Sequence, residues 1–120
     1  DFKKIGIQTF VVVGIKLSSY IWDEYSEEQI SERIQKIPQV ITAYRIPESN
    51  ISHLLIFGFK NIDQKDRYLM KMQNKHSKEL EVVQVYTFSV DRIIKSSHIG
   101  LLTSILKQKE ESSKEFFLDN

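Results

Sequence analysis

Apolar positions along the chain fall in short blocks whose period switches between two and about 3.6, and the switches predict the element order. Residues 8–17 read as a strand with Phe10 and Val12 on one face and Val11, Val13 and Ile15 on the other. Both faces are apolar, as in a strand covered on two sides. Gly14 inside it marks a bulge or a close backbone approach. Residues 18–25 read as a loop carrying Tyr20, Trp22 and Tyr25. Ser26 and Gln29 then match a capping box, in which hydroxyl and amide satisfy N–H groups at a helix start. Ile30, Ile34 and Ile37 follow at helical spacing, and Pro38 ends the helix because the residue before proline is pushed out of the α region.

Residues 39–46 and 52–60 read as two strands joined by the turn Pro47-Glu48-Ser49-Asn50, which is a hairpin signal. Residues 53–57 are again apolar on both faces. Asn61 or Asp63 caps a second helix running to about residue 76, with Leu69, Met72 and His76 as its buried stripe and Tyr68 and Met70 on the flanks. Residues 81–90, rich in Val, Tyr, Thr and Phe, form a fourth strand. The order β-α-β-β-α-β predicts an α+β, ferredoxin-like fold: a four-stranded antiparallel sheet with both helices on one face. Beyond it, Leu102, Ile105 and Leu106 within residues 99–107 predict a short amphipathic helix, residues 107–114 a mobile polar stretch, and Phe116-Phe117-Leu118 an apolar patch. The expected division is a domain over residues 1–95 and a C-terminal helix and polar tail over 96–120.

Two helices shield one face of such a sheet, and the strands are apolar on both. A second copy stacked sheet to sheet is the economical cover, with an obligate interface of about 2,000 Å² or more. Phe10, Val12, Phe57, Phe59, Tyr86 and Phe88 are the expected interface residues. The competing cover is the chain's own tail helix folded back.

Composition narrows the function classes. The chain has 120 residues, 41% hydrophobic and 28% charged, which is ordinary for a single globular domain. With 17 Lys and Arg against 16 Asp and Glu, the formal net charge of +1 provides no overall attraction to phosphate. There are no cysteines, which removes disulfides and thiolate chemistry and suits a cytoplasmic setting. The longest apolar run, residues 10–15, is far short of a membrane span, and no membrane partner is expected. Asp1 in first position is consistent with a piece of a longer chain.

Four segments resemble the C-terminal effector-binding domain, or RAM domain, of Lrp/AsnC-type transcription regulators. They are residues 1–6 (DFKKIG), similar to the family's linker; 10–16 (FVVVGIK), similar to its first strand; 37–40 (IPQV), similar to its helix-to-strand step; and 86–90 (YTFSV), similar to its last strand. The resemblance covers about residues 1–95. It implies a regulatory, ligand-sensing domain without enzymatic activity or cofactor. It also implies a homodimer that assembles into a ring of dimers, an effector such as an amino acid bound between dimers, and DNA contact only through a separate helix-turn-helix domain. Where many members carry Gly-x-x-Asp between the second and third strands, this chain has Ser49 and Ser52. The alternatives are a small dimeric monooxygenase-like enzyme of the same architecture, or a purely structural assembly domain.

Ser49, Asn50, Ser52 and Thr87 are the candidate effector residues, because hydroxyls and an amide orient a polar ligand without adding charge; as turn residues, Ser49 and Asn50 also have a purely structural reading. His53, His76 and His98 show no metal-ligand spacing, so no metal is expected. Arg67, Lys71, Lys75 and Lys78 form a basic stripe that reads as a solvated face more readily than a nucleic-acid surface. Asp23, Glu24, Glu27 and Glu28 complement a helix N-terminus. No nucleophile–base pair, phosphate-binding glycine loop or Walker-type motif is present.

Overall fold

The computed structural model describes residues 4–47, 50–92, 94 and 99–118, the last nine of these (110–118) as helix backbone only. The elements are β1 (Thr9–Leu17), α1 (Ser19–Glu24), α2 (Glu27–Gln35), β2 (Val40–Arg45), β3 (His53–Phe59), α3 (Ile62–Lys75), β4 (Leu80–Ser89), a 3₁₀ turn (Val90–Arg92) and α4 (Ile99–Leu118). The strands form one antiparallel sheet in the order β2-β3-β1-β4. The sequence predicts this α+β, ferredoxin-like arrangement; the short helix α1 before α2 is an addition to it.

Local chemistry sets the helix starts. Ser26 Oγ accepts from Gln29 N–H at 3.2 Å and Gln29 Oε1 accepts from Ser26 N–H at 2.9 Å, which closes the expected capping box. Asn61 is the cap of α3, its side-chain oxygen accepting from Gln64 N–H at 2.8 Å. The segment expected as an aromatic loop contains α1 instead. Its six residues are too few to show a period, and Ile21 is the one it buries.

Register assigns the two sheet faces. Val11 pairs with Phe57 and Thr87, and Val13 with Leu55 and Val85, on the face covered by α2 and α3. There Val11, Val13, Ile15, Leu55, Phe57, Phe59 and Met72 form the core. Tyr68 of α3 packs its ring 5.4 Å from those of both Phe57 and Phe59. Those two phenylalanines are at most 1% exposed, and this corrects their expected place on the assembly face. Alternation separates the two residue sets of a strand but does not say which set meets the helices. His76 is corrected as well. It caps the end of α3, half-exposed, with Nδ1 3.3 Å from the Glu79 carboxylate, and Met72 is the buried residue of that stripe.

Among the described residues no helix packs over the opposite face. Phe10 pairs with Gly58 and Phe88, Val12 with Ile56 and Tyr86, and Leu54 with Tyr44. Phe10 and Phe88 stack at 5.4 Å. Ile7 and Ile41 close over Gly58, where an added Cβ would lie 2.9 Å from Ile41 Cδ1. The described part of the tail makes no extensive contact with the sheet. α4 continues through the stretch expected to be mobile, and its side chains from Ile99 to Lys109 are exposed. The Cα radius of gyration of 19.4 Å exceeds the roughly 14 Å of a compact chain of this length. Among the described residues no helix is long and apolar enough to cross a membrane.

Candidate functional site

The open face is an apolar surface that the described helices leave uncovered. Val12, Leu54, Ile56 and Phe88 are partly exposed along its middle, and Tyr44 and Tyr86, 51% and 61% exposed, stand at its two sides. Four of the six expected interface residues, Phe10, Val12, Tyr86 and Phe88, share this face. Leu54 and Ile56 take the places expected for Phe57 and Phe59. The strand period contained that signal, since residues 54 and 56 alternate with 55, 57 and 59. An apolar patch flanked by two tyrosines is chemically suited to a protein partner, because tyrosine pairs a broad apolar ring with a hydroxyl that tolerates water.

At one end of the sheet a polar corner joins the hairpin to the first helices. Ser52 N–H donates to Ile15 O at 2.7 Å. Its Oγ accepts from Leu17 N–H at 3.1 Å, lies 3.3 Å from Ile15 O, and lies 3.0 Å from His53 Nδ1. One hydroxyl has one proton and two lone pairs. With the His53 proton on Nδ1, Ser52 accepts from Leu17 and His53 and donates to Ile15, and nothing is left over. The tautomer is assigned from this network. His53 is buried, and burial first and the Arg45 charge second push its pKa below the ordinary value, with Glu27 opposing. Trp22 stacks on His53 at 6.2 Å, and the Arg45 guanidinium sits 4.8 Å from the Trp22 ring centre. Arg45 also donates to Glu27 at 3.0 Å, to Ile46 O at 2.6 Å and to Ser52 O at 3.0 Å. This corner is a clasp: it fixes both ends of the hairpin against α1 and α2.

The expected effector residues are not brought together. Ser49 lies outside the described residues. Asn50 is exposed at a bend, and Ser52 is buried in the clasp. Thr87 is exposed on the helix-side face of β4, opposite Val11. Val11 is four residues along β1 from the Ile15 that Ser52 touches, a separation of about 13 Å. The sequence reading missed Trp22, Arg45 and His53 as a unit because they meet only through the fold.

Concavities also lie among the described residues. A polar cleft of about 430 Å³ is lined by Lys60, Asn61, Asp63, Gln64, Arg67, Tyr68 and Lys71. A second, of about 450 Å³, lies between the start of β1 and the end of β4, beside Asn61 and Asp91. The third is an apolar groove of about 420 Å³ between α2 and α3. Tyr68 borders the first and third, and burial raises its phenol pKa, so it remains a hydrogen-bond donor at neutral pH. Among the described residues no group of three or more His, Asp or Glu side chains converges on a point that could hold a metal.

No protein-family model matches the chain, and no curated protein matches it. Solved structures do. An AsnC family transcriptional regulator from Agrobacterium tumefaciens superposes with a TM-score of 0.56 at 24% identity, over 81% of this chain and 59% of the regulator. AsnC of E. coli gives 0.56 at 15% identity, over 81% and 60%. The transcriptional regulator NMB0573 of Neisseria meningitidis, solved in complex with L-Met, gives 0.53 at 16%, over 81% and 58%. The chain therefore has the fold found in AsnC-type regulators and spans less than two thirds of their length.

Proposed function

We propose, from this shared fold, that the chain is the effector-sensing and assembly domain of an Lrp/AsnC-type transcription regulator. One observation supports the reading above the others: among the described residues no helix, the tail helix included, packs over the apolar sheet face bearing Val12, Leu54, Ile56, Tyr86 and Phe88. Two copies stack there as a homodimer, and dimers join into a larger ring. DNA contact belongs to a separate domain, consistent with a net charge of +1, and the working compartment is the cytoplasm. The effector is a small polar molecule such as an amino acid, held near the β2–β3 turn at Ser49 and Asn50 where copies meet. A second reading, an assembly domain without an effector, is favoured by the Ser52 hydroxyl being fully used within the clasp.

Two measurements separate these. Light scattering at micromolar concentration is expected to give a dimer or a multiple of it, and a clean monomer would remove the assembly reading altogether. A thermal-shift screen of the amino acids, methionine included, is expected to find one that stabilises the fold. A ligand at about 100 times its dissociation constant contributes roughly 2.7 kcal/mol. An assembled protein that responds to none of them is the structural module instead.

A further inference from the structure

The apolar groove between α2 and α3 lies on the helix side of the sheet, away from the proposed dimer face. Its walls are aliphatic: Ile30, Ile34 and Ile37 from the α2 side, Ile15 and Leu55 from its floor, and Leu80 at one end. Arg33, Lys36, His76 and Glu79 stand along its rims. A groove of this shape, apolar at its base and charged at its edges, matches the amphipathic-helix mode of recognition.

The chain carries a helix of that kind. On α4, Leu101, Leu102, Ile105 and Leu106 are 61%, 58%, 43% and 63% exposed. At 3.6 residues per turn they occupy one arc of roughly 140°. The stripe is interrupted after Leu106, because the next positions of the same arc are Lys109, Ser112 and Ser113. Two turns of apolar surface are too few for a self-paired coiled coil, which needs three or more heptads. A concave receptor covers the same stripe in a single contact.

We infer that α4 of one copy docks in the α2–α3 groove of another copy. Its own groove is poorly placed to receive it. The groove opens near Leu17, Leu80 and Glu79, whereas α4 follows the other end of β4, where Ser89 pairs with Thr9. The two ends are about 30 Å apart along a ten-residue strand. α3, which packs over β1, β3 and β4, stands between that end and the groove. A second copy approaches from solvent with no such obstacle. Each α4 stripe offers roughly 400 Å² and covers about as much of the groove, so two helices in two grooves bury about 1,600 Å² in all, the size of a stable specific interface. Because groove and sheet dimer use opposite faces, this contact joins dimers and does not rest on the sheet pairing.

The absence of cysteine makes the test direct. Full-length chains carrying Ile105→Cys are mixed with chains carrying Lys36→Cys or Glu79→Cys, one on each rim, and oxidised gently. The expected product is a mixed disulfide of twice the 14.1 kDa chain mass. Adding Leu102→Glu and Leu106→Glu to the α4 partner should cut its yield at least tenfold while circular dichroism stays unchanged. Three results would overturn the inference: a disulfide within one chain when both cysteines share it, pairing of Ile105→Cys only with itself, or a yield indifferent to the glutamates. Repeating the mixing with Val12→Lys in both chains keeps the outcome separate from the sheet dimer, since the tail exchange should persist there.

Discussion

His53 shows how a single side chain ties stability to pH. It is 4% exposed, and its pKa is held below 6.5 by burial and by Arg45. The unfolded chain binds a proton at that site near pH 6.5, and the folded chain does so only at lower pH. Its contribution to stability is therefore complete above about 6.5 and is lost as pH falls below that value, by at most about 1.4 kcal/mol per pH unit. Urea midpoints between pH 7.5 and 5 should drop for the natural chain, and drop less for His53→Asn, whose amide nitrogen keeps the bond to Ser52. Equal slopes for the two proteins would show that His53 is not the group being titrated. The sequence singles out Ser52 as a hydroxyl able to orient a polar ligand. It could not show that the hydroxyl is consumed, because its partners Leu17 and Ile15 lie 35 and 37 residues away.

At the scale of elements, the legible features were the local ones. The four strands and the two covering helices follow from periods and caps contained within a dozen residues each. The capping box of α2 is an example, with both hydrogen bonds three residues apart. Ser26→Ala should lower the stability of the fold by about 1 kcal/mol with an unchanged dependence on denaturant. Guanidinium unfolding checks this, and a changed slope would mean that α2 had come loose as a unit. The illegible features have matching physical reasons. α1 is too short for a period to register. The polar run at 107–114 reads as mobile by charge, yet Lys, Gln and Glu are good helix formers and α4 continues through it. The face of Phe57 and Phe59 depends on where α3 lands, and α3 is set by contacts that no single strand contains.

At the scale of the whole molecule, one sheet serves two separate purposes, and substitutions on its faces should part accordingly. Phe57 sits fully buried beneath Tyr68, so Phe57→Ala removes core volume and should cost roughly 3–5 kcal/mol of folding stability. Any loss of assembly in that variant would follow from unfolding. Val12 lies on the other side of the same strands, opposite Ile56 and Tyr86 and only partly covered. Val12→Lys places a charge where a second sheet would have to desolvate it, and the long side chain of lysine can carry that charge to water in a lone copy. This variant should keep its circular dichroism and fall in mass by scattering, the reverse of the Phe57 result. A Val12→Lys protein that unfolds as Phe57→Ala does would mean that the open face belongs to the chain's own core. One that keeps its full mass would mean that copies do not meet there, and the tail and groove on the opposite side would then have to account for the assembly.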